Sequence, residues 1–273
     1  PKQKAGCQYQ PESLSAMSHA WSILFGELLD CVVVGRYPTY MSEQPVAIVT
    51  AASKGIGAAC VRRLTTEGYR VALMSRGDDG QAIANEVDGL WVQGNLTCSE
   101  DIDTLFASIA PWGRLDAVIL NTGHLPTGRL LDLSDDDWRS GLDMVLLSVM
   151  RVGKLAVPLM RQSGGGSIVC TSGAVAREVM DNYPVSTVLR SGLTAMIRMA
   201  ARQWAPDVRI NAVMPGFVST FDVPDEIVAQ IPAGRAADAS ELAGLMAWLC
   251  SDEARYITGE SICMDGGLTR AVR

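Results

Sequence analysis

Histidine is almost missing from this chain. His19 and His124 are the two among 273 residues, too few for a histidine-rich metal cluster, and no metal is expected. Cysteine occurs seven times. Cys7, Cys31, Cys60, Cys98, Cys170, Cys250 and Cys263 are scattered, odd in number and never spaced CxxC. That excludes a zinc pattern and a disulfide framework and points to reduced thiols in a cytoplasmic setting. An apolar run long enough to span a membrane, about 20 residues, is also lacking. The nearest candidate, AWSILFGELLDCVVVG from Ala20 to Gly35, is interrupted by Glu27 and Asp30. It has neither the basic start nor the small-residue cleavage pattern of a signal peptide. No basic block or aromatic–basic interleaving occurs and the formal net charge is -7, so nucleic acid is not an expected partner.

What is present is a large apolar complement. Hydrophobic residues make up 48% and charged residues 19%, enough for a sizeable core. Residues 1–40 open with a polar stretch, PKQKAGCQYQPESLS, and read as an N-terminal extension whose role stays open, either a helix that docks on the domain or upstream sequence outside the folded unit. Met41 reads as the natural beginning of the folded unit, and a membrane-surface or partner helix is the alternative for the extension. From Val46 onward short apolar runs alternate with helical patterns. Strands are predicted at Val46–Thr50, Arg70–Met74, Leu90–Gln93, Ala117–Leu120, Ser167–Thr171, Arg209–Val213 and Ser261–Met264. Helices are predicted at Gly55–Glu67, Asp78–Val87, Ser99–Ile109, Ser134–Arg161, Pro184–Trp204 and Ser240–Ser251. That alternation specifies an α/β domain over residues 41–273: a single-domain, Rossmann-type doubly wound parallel sheet of about seven strands, helices on both faces.

The stretch VAIVTAASKGIG, Val46 to Gly57, carries a strand through a small-residue turn into a helix. Such a turn gathers backbone N–H groups and the positive end of a helix dipole on one spot, which suits a pyrophosphate. Thr50-Ala51-Ala52-Ser53-Lys54-Gly55-Ile56-Gly57 resembles the TGxxxGxG turn of the short-chain dehydrogenases/reductases, with Ala51 in place of the first glycine. Further segments resemble that family at the same spacings: DAVILNTG ending in Asn121, Thr122 and Gly123; NAVMPG ending in Pro215 and Gly216; and YITG followed by DGG at the C-terminal end. The resemblance runs from about Pro45 to the C-terminus, towards reductases of 3-oxoacyl chains on an acyl carrier protein. It implies a dinucleotide held by Thr50, Ala52, Ser53, Lys54, Gly55, Ile56, Gly57, Arg76, Asn95, Leu96, Asn121, Thr122, Gly123, Thr171, Arg190, Pro215, Gly216, Val218 and Thr220. The second predicted strand ends without a carboxylate and with Arg76. A cation there accommodates a 2′-phosphate where an acid would bind the ribose hydroxyl. Lys54 adds charge nearby, and the cofactor expected is NADP(H). The alternative leaves Lys54 and Arg76 as solvated surface residues.

The family's chemistry rests on an asparagine, a serine, a tyrosine and a lysine, and here the resemblance breaks. Val145 stands at the asparagine position and cannot bind a water. The serine position falls on Gly173, or on Ser172 if the register shifts by one. The YxxxK pair becomes Ser186 and Arg190, which an i,i+4 spacing keeps on one helical face. A guanidinium holds charge but does not release its proton, and a positioned general acid is worth about 10²–10⁴ in rate. The candidate catalytic set is therefore Ser172, Tyr183, Ser186 and Arg190, with His124, Glu178 and Asp181 as further groups near the site.

Three functions stay open. One is an NADP(H) oxidoreductase acting on a small carbonyl or alcohol, or on an iminium, which takes a hydride without a proton. The second is a non-redox isomerase or cyclase that uses the nucleotide as scaffold. The third is a dinucleotide-binding protein without catalysis. Phe217–Arg235 is assigned to substrate contact, with a lid beginning near Thr220 and Phe221. The long helices at Ser134–Arg161 and Pro184–Trp204 carry apolar residues on more than one face, so a homotetramer or homodimer is expected. A monomer results if the extension covers them.

Overall fold

A computed structural model describes residues 44–272; the expected extension and the start at Met41 lie outside them. Seven parallel strands form one sheet in the order β3-β2-β1-β4-β5-β6-β7. They are β1 (Val46–Thr50), β2 (Arg70–Ser75), β3 (Leu90–Gln93), β4 (Ala117–Leu120), β5 (Gly166–Thr171), β6 (Val208–Pro215) and β7 (Ser261–Met264). The chain order reverses between β1 and β4, so their carboxyl ends open a crevice at the switch point. The central strands β1 and β4 are unbroken apolar or near-apolar runs, because helices on both faces leave no solvent side to demand alternation.

Burial follows the period of two along β1. Val46 and Ile48 enter one core layer, and Ala47 and Val49 enter the other. The second layer packs beneath α1 (Gly55–Thr66), α2 (Asp79–Glu86) and α8 (Ala239–Cys250). The first packs beneath α3 (Ser99–Ile109), α4 (Asp135–Leu142), α5 (Ser148–Gln162) and α6 (Pro184–Trp204). A short α7 (Asp225–Val228) lies within the expected substrate segment.

The helix predicted over Ser134–Arg161 runs without interruption from Asp135 to Gln162, but its middle is not α-helical. Ser134 caps α4 rather than joining it: its hydroxyl accepts from Asp137 N, and the Asp137 carboxylate accepts from Ser134 N in return, a capping box. Between α4 and α5 the residues Asp143–Leu147 form a π-turn. Apolar periodicity cannot reveal one inserted residue, which shifts the helical face without changing composition. Among the described residues no helix is long and apolar enough to cross a membrane.

Candidate active site

The nucleotide turn sits where β1 meets α1. Ala51 has φ 47 and Gly55 has φ 57, left-handed conformations that glycine adopts freely and alanine does not. A Cβ on Gly57 would stand 2.3 Å from Ala51 O, so only glycine lets the helix close on the turn. Ala52 N donates to Met74 O at 3.1 Å, which ties the turn to β2. The N-terminus of α1 is open. Lys54, at its cap, makes no side-chain capping bond, and the first turn holds no acid. Ser53 and Ile56 are half-buried on that turn. Thr220 closes over it, 3.1 Å from the Cβ position of Gly55. An uncapped helix end above a turn too tight for side chains fits a pyrophosphate.

The tips of β2 and β4 flank this turn. Arg76 is exposed, and its Nη2 lies 3.9 Å from the Cβ position of Gly123, so the side chain leans across the crevice. Among the described residues neither Lys54 nor Arg76 has a salt-bridge partner. Asn95 Oδ1 accepts from Thr97 N at 3.1 Å, which leaves its amide nitrogen for a ring; Leu96 beside it is 8% exposed. Ser75, at the end of β2, is absorbed internally: Trp91 Nε1 donates to it at 2.9 Å and it donates to Gly77 O at 2.8 Å.

Arg190 is the centre of the reaction end. It is 8% exposed and lies on α6 facing the end of β5. Nη1 donates to Thr171 O at 2.8 Å and to Ser172 O. Nε donates to Ser186 Oγ at 3.0 Å and Nη2 to Thr122 Oγ1 at 3.4 Å. Burial lowers its pKa to about 10, and it remains a cation at neutral pH. No carboxylate among the described residues pairs with it; backbone and hydroxyl dipoles alone solvate the charge.

The candidate hydroxyls are not gathered into one relay. Ser186 bonds Arg190. Ser172 is 3% exposed with its Oγ unpartnered, and the arginine reaches its carbonyl rather than its hydroxyl. The Cβ position of Gly173 lies 3.3 Å from Arg190 Cδ, so residue 173 faces the arginine directly. Thr171 Oγ1 is likewise buried without a partner. Tyr183 caps α6 and bonds neither Ser186 nor Arg190 through its hydroxyl. Val145 is 1% exposed within the π-turn, and its side chain offers nothing to a water.

Tyr183 instead lines a cleft of about 690 Å³ with Met180, Phe217, Phe221, Ile227 and Leu268. Glu178, Asp181 and Asp222 stand on its walls, and Arg270 beside them. The Glu178 carboxylate accepts from Arg270 N at 2.5 Å, which straps the C-terminal segment to the loop before α6. His124 is exposed and meets Phe221 edge-on at 5.8 Å. Val218 is 4% exposed and bridges Ala237, anchoring the segment after Pro215 and Gly216. Sequence reasoning did not find Met180 or the residues 268–270; their only signal was position after the DGG motif.

Comparison with known proteins agrees with this geometry. A family model described as enoyl-(acyl carrier protein) reductase matches residues 50–269. The 3-oxoacyl-[acyl-carrier-protein] reductase FabG of Escherichia coli K12 is 31% identical over 238 residues, covering 83% of this chain and 98% of the relative. The protein of the same name from Staphylococcus aureus Mu50 is 30% identical over 241 residues, covering 81% and 97%. YwfH, an NADPH dependent reductase involved in bacilysin biosynthesis, shares the fold at TM-score 0.79 and 24% identity, covering 84% of this chain and 100% of YwfH. A variant short-chain dehydrogenase/reductase of Serratia marcescens superposes at TM-score 0.77 and 29% identity, covering 82% and 97%. The parallel sheet, the glycine turn and these relatives together establish that the chain belongs to the short-chain dehydrogenase/reductase family, whose members are oxidoreductases using nicotinamide dinucleotides.

Proposed function

We propose that this protein is an NADP(H)-dependent oxidoreductase with a non-standard reaction centre, acting on a small carbonyl or alcohol compound or on an iminium ion. The observation that carries the cofactor choice is the unpaired Arg76, leaning over Gly123 beside an uncapped α1. A phosphate dianion there gains charge-assisted hydrogen bonds from Arg76 and Lys54. Thr50, Ala52, Ser53, Gly55, Ile56 and Gly57 would hold the pyrophosphate, and Asn95, Leu96, Asn121, Thr122, Thr171, Pro215, Gly216, Val218 and Thr220 the remainder. When bound, the nicotinamide group supplies or accepts a hydride.

The chain's own residues do the rest. Arg190 fixes a positive charge at the end of β5 and, through Nη2, offers a donor towards the crevice. Phe217, Phe221 and Tyr183 give the substrate side of the cleft an aromatic wall. Tyr183 is the one phenol on that wall and can deliver a proton to a carbonyl substrate. The carboxylates of Glu178, Asp181 and Asp222 favour a cation, which supports the iminium branch, where no proton is needed. The exposed apolar residues Leu147 of the π-turn, Met150 of α5, and Val188 and Met199 of α6 support a homodimer or homotetramer. A second reading, binding or non-redox chemistry, draws on the separation of Tyr183 from Arg190. Titration of the protein with NADPH and NADH, followed by screening ketones and preformed iminium ions for loss of NADPH absorbance, tests the cofactor and the reaction. Tighter binding of NADPH and turnover of either electrophile support the proposal. Binding without turnover selects the second reading, and no binding removes both.

A further inference from the structure

Three of the departures from the family's reaction centre, at positions 173, 186 and 190, touch one another. A Cβ on Gly173 would lie 3.3 Å from Arg190 Cδ and 3.6 Å from its Nε. The approach to Cδ is tighter than ordinary van der Waals contact, so any side chain at 173 presses on the arginine and makes it give by a few tenths of an ångström. Ser186 sits one helical turn before Arg190, and its Oγ is the acceptor for Nε at 3.0 Å. A phenol at position 186 would carry its oxygen several ångströms beyond that point and leave Nε without a partner. The other acceptors, Thr171 O, Ser172 O and Thr122 Oγ1, come from β5 and the β4 tip. A buried charge without a counter-ion persists only while its hydrogen bonds are complete.

We propose that Gly173, Ser186 and Arg190 form one interlocked unit, in which Gly173 by its missing side chain and Ser186 by its hydroxyl are positioning residues that seat Arg190 as a fixed cation. The substitutions are then coupled. Returning the family's serine to position 173 alone unseats the arginine and damages the site rather than repairing it. The Ser186 oxygen is engaged as an acceptor by the guanidinium.

The test uses the full chain, ¹⁵N-labelled at arginine, with the Arg190 Nε–H resonance assigned by its loss in R190K. The unit predicts a slowly exchanging Nε–H in the native protein, and S186A speeds that exchange at least tenfold while S186T retains the protection. G173S also speeds it, and weakens NADPH binding several-fold. In an R190A background G173S has no further effect on NADPH affinity, because the group it displaces is already gone. If G173S does not fold, G173A, whose methyl still crowds Arg190 Cδ, is measured with the same expectation at smaller size. Unchanged exchange in both S186A and the residue-173 variant overturns the proposal, as do additive effects of G173S and R190A. The affinity arm rests on the NADP(H) reading; if the native protein binds no NADPH, that reading fails while the exchange arm still decides the unit.

Discussion

Thr50 and Asn121 lock the two strand ends that frame the crevice. Thr50 Oγ1 donates to Asn121 O at 2.6 Å, and Asn121 Nδ2 returns a bond to Ala51 O at 3.3 Å. Thr50 is fully buried, so T50V keeps the shape and strands a buried carbonyl. The loss expected is about 1–3 kcal/mol, read as a lower urea midpoint, with T50S close to the native value. A midpoint in T50V equal to native would show that the bond contributes nothing.

Ala51 holds φ 47 where the family motif has glycine. Left-handed backbone costs an alanine about 1–2 kcal/mol, part of which glycine returns as unfolded-state entropy. A51G should therefore stabilise the protein by about 1 kcal/mol without weakening nucleotide binding. Gly57 behaves oppositely. Its Cβ position lies 2.3 Å from Ala51 O, so G57A must open the turn, at a cost of about 1–3 kcal/mol. Nucleotide affinity should fall with it. Thermal melts and nucleotide titrations of the two variants check the pair; a G57A protein as stable as native would contradict the close approach.

These features divide what sequence reveals from what it hides. The strands were legible to within two residues at either end, since each is a short, mostly apolar run between helical patterns. The turn at 50–57 was legible because glycine there answers a steric need. The π-turn at Asp143–Leu147 was not, because hydrophobic periodicity averages over one extra residue. Nor was the seat of Arg190. The i,i+4 rule placed Ser186 on its face, but its bonds to the Thr171 and Ser172 carbonyls join residues far apart in the chain. Tyr183 looked close in sequence, yet its position at the cap of α6 turns it to the cleft rather than to Arg190.

Arg76 separates the two cofactors. A charged hydrogen bond contributes about 1.5–3 kcal/mol, so R76A should weaken NADPH binding by about 10–100-fold and leave NADH unchanged. R76D should invert the preference, by repelling the phosphate and offering an acceptor to a ribose hydroxyl. Equal losses for both nucleotides in R76A would make Arg76 a structural residue and return the cofactor choice to Lys54. Titrations at low and moderate salt should show the NADPH advantage shrinking as ions screen the exposed pair.

The alkaline limit of stability follows from buried thiols. Burial pushes Cys170 and Cys250 up to about 12 from 9.0, and raises Cys60 and Tyr69 as well. The folded state keeps these groups neutral, while the unfolded chain gives up thiol protons near pH 9. Between pH 9 and 12 the folded state thus binds more protons, and stability falls as pH rises. Each such thiol contributes a slope of about 1.4 kcal/mol per pH unit. Arg190 acts in the other direction. Burial brings its folded value down to about 10 from the ordinary guanidinium range, so above about pH 10 the unfolded chain binds more protons and this contribution rises with pH. Arg209, also lowered by burial, acts with it, and the buried thiols with Tyr69 outnumber the two arginines, which leaves a net decline above pH 9. Urea midpoints measured from pH 8 to 11 should trace it, and the C170A/C250A double variant should lower the whole curve while flattening its alkaline limb. A limb equally steep without those thiols would assign the decline to other groups.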